Sequence, residues 1–168
     1  MSWTFVARYV DLLAWSVYLG GALIMELVWR PAQEHMPMSQ IGVACQRMGR
    51  RYRWIALAML CVIGVTSLTM LPGRAPDTLT LSSRFGRSVL TLVLLWFVLV
   101  ALVASMAFSA HPALHVRMSS DLDPDARAAA RAEVGRAIRR MDRILRSELV
   151  IALVATVFAA SLPAGGLL

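Results

Sequence analysis

The chain has 168 residues, 58% hydrophobic and 16% charged, with a mean hydropathy of +0.65. Soluble domains carry roughly 45–50% apolar and about 25% charged residues, so the composition excludes an ordinary soluble domain, and with it a disordered chain. The length allows one domain. The formal net charge is +7, and all 17 basic residues are arginine. In a soluble chain such a balance suggests nucleic acid, but here the placement of the arginines gives another explanation. The two cysteines, Cys45 and Cys61, make neither a disulfide framework nor a zinc motif.

Four stretches are long and apolar enough to cross a bilayer core, which takes about 20 residues: 12–29, 54–71, 88–110 and 149–168. Glu26 is the one charge in the first, and the other three have none. Backbone groups in lipid must pair within their own segment, so these are predicted helices. The expected fold is all-α, an integral membrane four-helix bundle forming a single domain over 1–168, with connections 31–53 and 111–148 as cytoplasmic helical extensions. The start, Met1-Ser2-Trp3-Thr4-Phe5, lacks the basic region of a secretory leader, so the first stretch reads as a span.

An even number of spans puts both termini on one side. That side carries Arg8, Arg74, Arg84 and Arg87, and the other thirteen arginines, Arg30 to Arg53 and Arg117 to Arg146, lie on the opposite one. The positive-inside rule predicts that the thirteen are cytoplasmic and both termini lie outside, in a bacterial-type inner (plasma) membrane. Topology then accounts for the basic excess. The expected partners are the lipid bilayer and other membrane protein subunits, and no nucleic acid.

In the first extension, Pro37-Met38-Ser39-Gln40 predicts a helix start with Ser39 as N-cap. Leu71-Pro72-Gly73 ends the second span. In the last extension, Asp121 to Asp125 with Pro124 predicts a start from which one nearly continuous helix runs over about 124–162. Ala130, Val134, Ala137, Ile138, Met141 and Leu145 form an apolar stripe expected to pack on the 39–53 helix, opposite an arginine-rich face. Glu133–Arg136, Arg139–Asp142 and Asp142–Arg146 are spaced to pair.

Small residues at four-residue spacing (Ser16 and Gly20; Ala101, Ser105 and Ser109; Ala152, Thr156 and Ala160) suit close helix packing. Charges near the membrane are functional candidates by default. Arg8 with Asp11, and Glu26 with Arg30, have partners at helical spacing, and of the two acids Glu26 is the better functional candidate. Trp3, Tyr9, Trp29, Tyr52 and Trp54 fall where interfacial aromatic belts are expected. Cys61 reads as a packing residue.

The three histidines all fall on the predicted cytoplasmic side. His35, Met36 and Met38 follow the first span, and His111, His115 and Met118 follow the third. Imidazole and thioether together suit Cu(I), so these six form a candidate metal site with copper as the candidate cofactor; interfacial histidines and packing methionines are the plainer reading. No phosphate loop, nucleophile elbow or other catalytic signature occurs, and the chain reads as a non-enzyme with no catalytic residue.

Several pieces together resemble the four-helix unit shared by copper-resistance D-like proteins and the membrane-bound protoporphyrinogen oxidase. They are Leu12-Leu13-Ala14-Trp15-Ser16 with Gly20-Gly21 and Arg30-Pro31, then Arg50-Arg51-Tyr52-Arg53 leading to Thr66-Ser67, then Arg84-Phe85-Gly86-Arg87 leading to His111. The resemblance covers roughly residues 8–115. It implies the bundle and, for the copper branch, copper transport across the inner membrane. The oxidase branch has a haem-ligating histidine about where this chain has Asp11, and functional lysines where this chain has none; the departure argues against haem and the oxidase reaction. Two functions are expected: a small inner-membrane protein of the copper-resistance D-like type handling copper at its cytoplasmic face, or a non-catalytic accessory subunit of a larger membrane complex.

Overall fold

The structure, a computed structural model, describes residues 3–70, 80–108 and 124–168. Helix α1 covers Trp3–Ile24, and a π-helical turn, Met25–Trp29, joins it to the short α2, Arg30–Glu34. The cause of the wider turn is Pro31, whose ring would strike the Leu27 carbonyl in a regular α-helix. The chain instead pairs the Arg30 amide with the Met25 carbonyl. Helix α3 covers Met38–Met70, α4 Arg84–Phe108 and α5 Pro124–Ser161, followed by a 3-10 turn, Leu162–Ala164. No strand occurs among the described residues.

Four helical stretches are long and apolar enough to cross a membrane: Trp3–Glu34, Arg47–Met70, Arg84–Met106 and Gly135–Ala164. The 24 residues of the second span about 36 Å, against about 30 Å of bilayer hydrocarbon. Helix α1 packs on α3 and α5, and α4 packs on the same two. The helices therefore stand in a ring in chain order, as an up-and-down bundle.

The core is made of Ala14, Trp15 and Tyr18 from α1, Ala56, Leu60 and Ile63 from α3, Leu99 and Val103 from α4, and Ala152 and Ala155 from α5. Four of these ten are alanine, while Leu12, Leu27, Trp54, Leu68, Leu94, Phe97 and Val157 point outward. That distribution fits close backbone approach inside an apolar surround. The buried small residues are only partly those of the four-residue spacing: Ala152 is buried, but Ser16, Ala101 and Ala160 are exposed. Cys61 is also exposed, and is not a core residue.

One close approach fixes α3 against α4. A Cβ on Gly64 would lie 2.8 Å from Cζ2 of Trp96, so only glycine lets the indole lie flat across α3. From there its Nε1 donates to the Leu60 carbonyl at 2.9 Å. At the start of α4, the Ser83 hydroxyl accepts from the Gly86 amide at 2.9 Å and caps the helix. Beneath it, a Cβ on Gly86 would meet the Thr80 carbonyl.

Two helix ends differ from the sequence expectation. Helix α3 starts one residue before Ser39: the Pro37 carbonyl accepts from the amides of Gln40 and Ile41, so Pro37 occupies the cap position. Helix α5 starts at Pro124 and continues unbroken to Ser161, but 149–168 is not helical throughout. Pro163 stops the helix, Gly165 and Gly166 turn the chain at φ 98° and 93°, and the amides of Leu167 and Leu168 donate to the buried Ser88 hydroxyl at 2.9 and 3.2 Å. The apolar stripe of α5 packs on protein where it is described: Met141 is buried, with its methyl 3.9 Å from where a Cβ on Gly49 of α3 would stand. The side chains of Ala130 and Val134, and residues 71–79 and 109–123, lie outside the described residues.

Replacing Gly64 with Val should displace Trp96, break its bond to Leu60 and cost about 1–3 kcal/mol as an overpacked contact. The check is reversible unfolding in detergent micelles together with the tryptophan emission maximum; Trp96→Phe should cost less, because it loses the hydrogen bond without adding volume.

Candidate functional site

Helix α5 changes character at Ser147-Glu148-Leu149, between an arginine-rich half and an apolar one. Its inward face runs through Met141, Glu148, Ala152 and Ala155, positions seven, four and three residues apart, which keep to one side of a helix. A carboxylate therefore arrives in the bundle interior, and Glu148 is 0% exposed.

Two tyrosines meet it there. The hydroxyl of Tyr18 on α1 donates to Oε1 of Glu148 at 2.8 Å, and that of Tyr52 on α3 donates to the same oxygen at 2.9 Å. Oε2 is buried and has no hydrogen-bond partner. Tyr18 is held by the edge of Trp15, with ring centroids 6.2 Å apart. Tyr52 reaches Glu148 by passing over Gly21, where a Cβ would lie 3.1 Å from its Cε2. Beside the tyrosines, a cleft of about 330 Å³ opens between α1 and α3, walled by Gly20, Gly21, Ile24 and Ile55.

Polar groups also tie the helices above and below this level. Toward one end, the Thr66 hydroxyl of α3 donates to Oδ1 of Asp11 on α1 at 2.7 Å. Toward the other, Oε1 of Glu26 accepts from Arg30 at 2.7 Å and from Arg146 of α5 at 3.2 Å. Arg53, 4% exposed, donates through Nη1 to the Met106 carbonyl at 2.6 Å and through Nε to the Gly49 carbonyl at 2.8 Å. It thus covers a carbonyl that the last turn of α4 leaves without a helical partner.

Sequence reasoning placed several of these residues elsewhere. Tyr52 is not an interfacial belt residue: Gly21 gives it a slot into the core, whereas its neighbour Trp54 stays 67% exposed. Asp11 bonds to Thr66 and forms no ion pair with Arg8. Glu26 and Arg30 do pair. The surface pairs Glu133–Arg136, Arg139–Asp142 and Asp142–Arg146 are not made; Arg146 turns to Glu26, and Asp142 lines a small cleft with Glu26 and Arg30.

Of the proposed soft-ligand group, His35 is exposed just beyond α2, with its Nδ1 3.0 Å from the Pro31 carbonyl, and Met36 is half-buried beside it. The side chain of Met38, and His111, His115 and Met118 entirely, lie outside the described residues. No group of three or more His, Cys, Asp or Glu side chains suited to a metal occurs among the described residues. No family model matches the chain, and searches of curated proteins and of solved structures find no match.

Glu148 was missed because it stands one residue outside the apolar stretch 149–168, where it reads as one more charge of the extension. Its distance of seven residues from Met141 and four from Ala152 was the available signal.

Removing one tyrosine hydroxyl should be mild, because the other still serves Oε1. Tyr18→Phe and Tyr52→Phe should each cost about 1 kcal/mol, within the range for hydrogen bonds between helices in membranes. The double variant should cost more than their sum. Unfolding of the four species in micelles closes the cycle.

Proposed function

We propose that this chain is a small four-span inner-membrane protein of the copper-resistance D-like type that works by binding rather than covalent chemistry, with Glu148 as its central group. The reading takes the protein as one that holds and passes a proton or another small, hard cation through the bundle. One observation carries it: both tyrosine hydroxyls go to the same oxygen of a fully buried carboxylate, which leaves Oε2 without a partner. An intramembrane carboxylate is costly to keep and marks ion and proton paths. Its ligand is a hard oxygen, which favours a proton or hard cation over Cu(I). Asp11, Tyr18 and Glu26 recur at about two-turn intervals along α1 and the π turn that continues it, roughly 10–12 Å apart. That places carboxylates or their donors at three levels of the bundle.

A second reading, copper handling at the arginine-rich face, is favoured by His35. A carbonyl only accepts, so the Nδ1 near Pro31 carries the proton and Nε2 is left as the metal-binding nitrogen.

Purified protein in vesicles separates the two. Under an imposed pH gradient or potential, the parent should move protons or alkali cations, and Glu148→Gln should lose at least about tenfold of that flux with its fold intact. Equal flux in parent and variant, or none in the parent, overturns the first reading. Copper bound by the parent and lost in the joint His35→Ala, His111→Ala variant would support the second.

The topology that goes with both has its two ends outside the cytoplasm. A reporter fused after Leu168 should be active only when it requires export, and cytoplasmic activity would reverse the orientation.

A further inference from the structure

The arginine face of α5 has no role in the Glu148 site. Arg136, Arg139, Arg140 and Arg143 are all exposed, and their spacing of three, one and three residues puts them on one side of the helix. The acids that could neutralise them are not engaged with them. Among the described residues, the ion pairs are those of Glu26 with Arg30 and with Arg146, and Asp142 faces the cleft beside Arg30.

Two further arginines stand at the same level on α3, on the opposite side of the ring. The approach of Met141 to Gly49 sets the height of one helix on the other. Arg47 and Arg51, both exposed, flank Gly49 by two residues, and Arg139, Arg140 and Arg143 flank Met141 by no more than two, so all five lie within about 3 Å of that level along the helices. Trp54, 67% exposed, is the next outward aromatic toward the apolar segment, at the depth where a tryptophan marks the interface. The arginines then fall among the lipid headgroups.

We propose that Arg136, Arg139, Arg140 and Arg143 form a docking surface for the phosphates of anionic phospholipids. Guanidinium groups bind phosphate through paired, charged hydrogen bonds, and four or more basic residues clustered on a helix at the cytoplasmic headgroup level are a form such lipid sites take. The proposal rests on the four-span reading, which supplies the headgroups.

The test uses the full-length protein, purified from membranes and re-equilibrated with phosphatidylcholine alone, with added phosphatidylglycerol, or with added cardiolipin. Lipid retained after detergent exchange is counted by native mass spectrometry. Anionic lipid should be retained over phosphatidylcholine, and joint Arg→Gln replacement at 136, 139, 140 and 143 should lower its retention about tenfold or more, given roughly fivefold per basic residue near an anionic surface. Replacing Arg84 and Arg87, at the other end of the bundle, should leave retention unchanged. Equal retention of neutral and anionic lipid, or undiminished retention in the four-arginine variant, overturns the proposal. Uptake of inorganic phosphate with no lipid preference would assign the surface to a soluble anion instead. Membrane insertion is read separately from the resistance of parent and variant to carbonate extraction: release by carbonate defeats the four-span reading, whereas retention in the membrane without a lipid preference defeats this proposal alone.

Discussion

A carboxyl group shut away from water must be held by donors, and much of this bundle is arranged around that need. Glu148 is fully buried, and the donors to its Oε1 come from α1 and α3. Three of the four long helices therefore meet at one oxygen atom. Helices α3 and α5 stand across the ring from one another, and Tyr52 spans the gap by passing over Gly21 of α1. A Cβ at 21 would stand 3.1 Å from the ring, so Tyr52 would have to shift by a few tenths of an ångström from the position that bonds Glu148. An unpaired polar group in a low-dielectric interior costs more than a hydrogen bond returns, so the glycine is part of the carboxylate's support although it never touches it.

Helix α4 is attached by different means. It contributes Leu99 and Val103 to the core and is joined to α3 by Trp96 on the Leu60 carbonyl and by Arg53 on the Met106 carbonyl. Near its start it receives the amides of Leu167 and Leu168 on Ser88. These contacts pair side chains with backbone groups, and none uses a carboxylate. The polar chemistry is concentrated on α1, α3 and α5, while α4 closes the ring.

The fold was legible where one physical rule dominated. Long uncharged stretches can only be helices if they lie in hydrocarbon, and the four appear as helices. Pro124 and the stripe through Met141 announced the long α5. The site was less legible because its residues carry ordinary local signals. Tyr52 follows two arginines and reads as an interface aromatic, and the open face at Gly21, thirty-one positions away, leaves room for it to turn inward. Arg146 was spaced to pair with Asp142 on its own helix. Glu26 drew it across to α1 instead, a choice set by tertiary packing. The histidine and methionine grouping depends on residues 109–123, which lie outside the described residues, and so the structure bears on His35 and Met36 alone.

The ties between α1 and α5 are reciprocal. Glu148 on α5 takes its bond from Tyr18 on α1, and Glu26 in the π turn that continues α1 takes one from Arg146 on α5. The second tie depends on the π turn that Pro31 imposes, because Glu26 lies inside that turn and Arg30 begins the helix that follows it. A regular α-helix would wind residues 25–29 more tightly and present Glu26 at a different angle. The two ties lie two residues apart on α5 and eight apart on α1, so they anchor the same pair of helices at separate heights and resist their sliding. Tyr52 adds α3 to the first tie alone. Any group that takes up Oε2 therefore acts on a junction in which α1 is already fixed at a second point by Glu26, and α3 is the less constrained partner. If the site does work on the bundle, the α1–α3 side, where the cleft opens beside both tyrosines, is where the packing has room to respond.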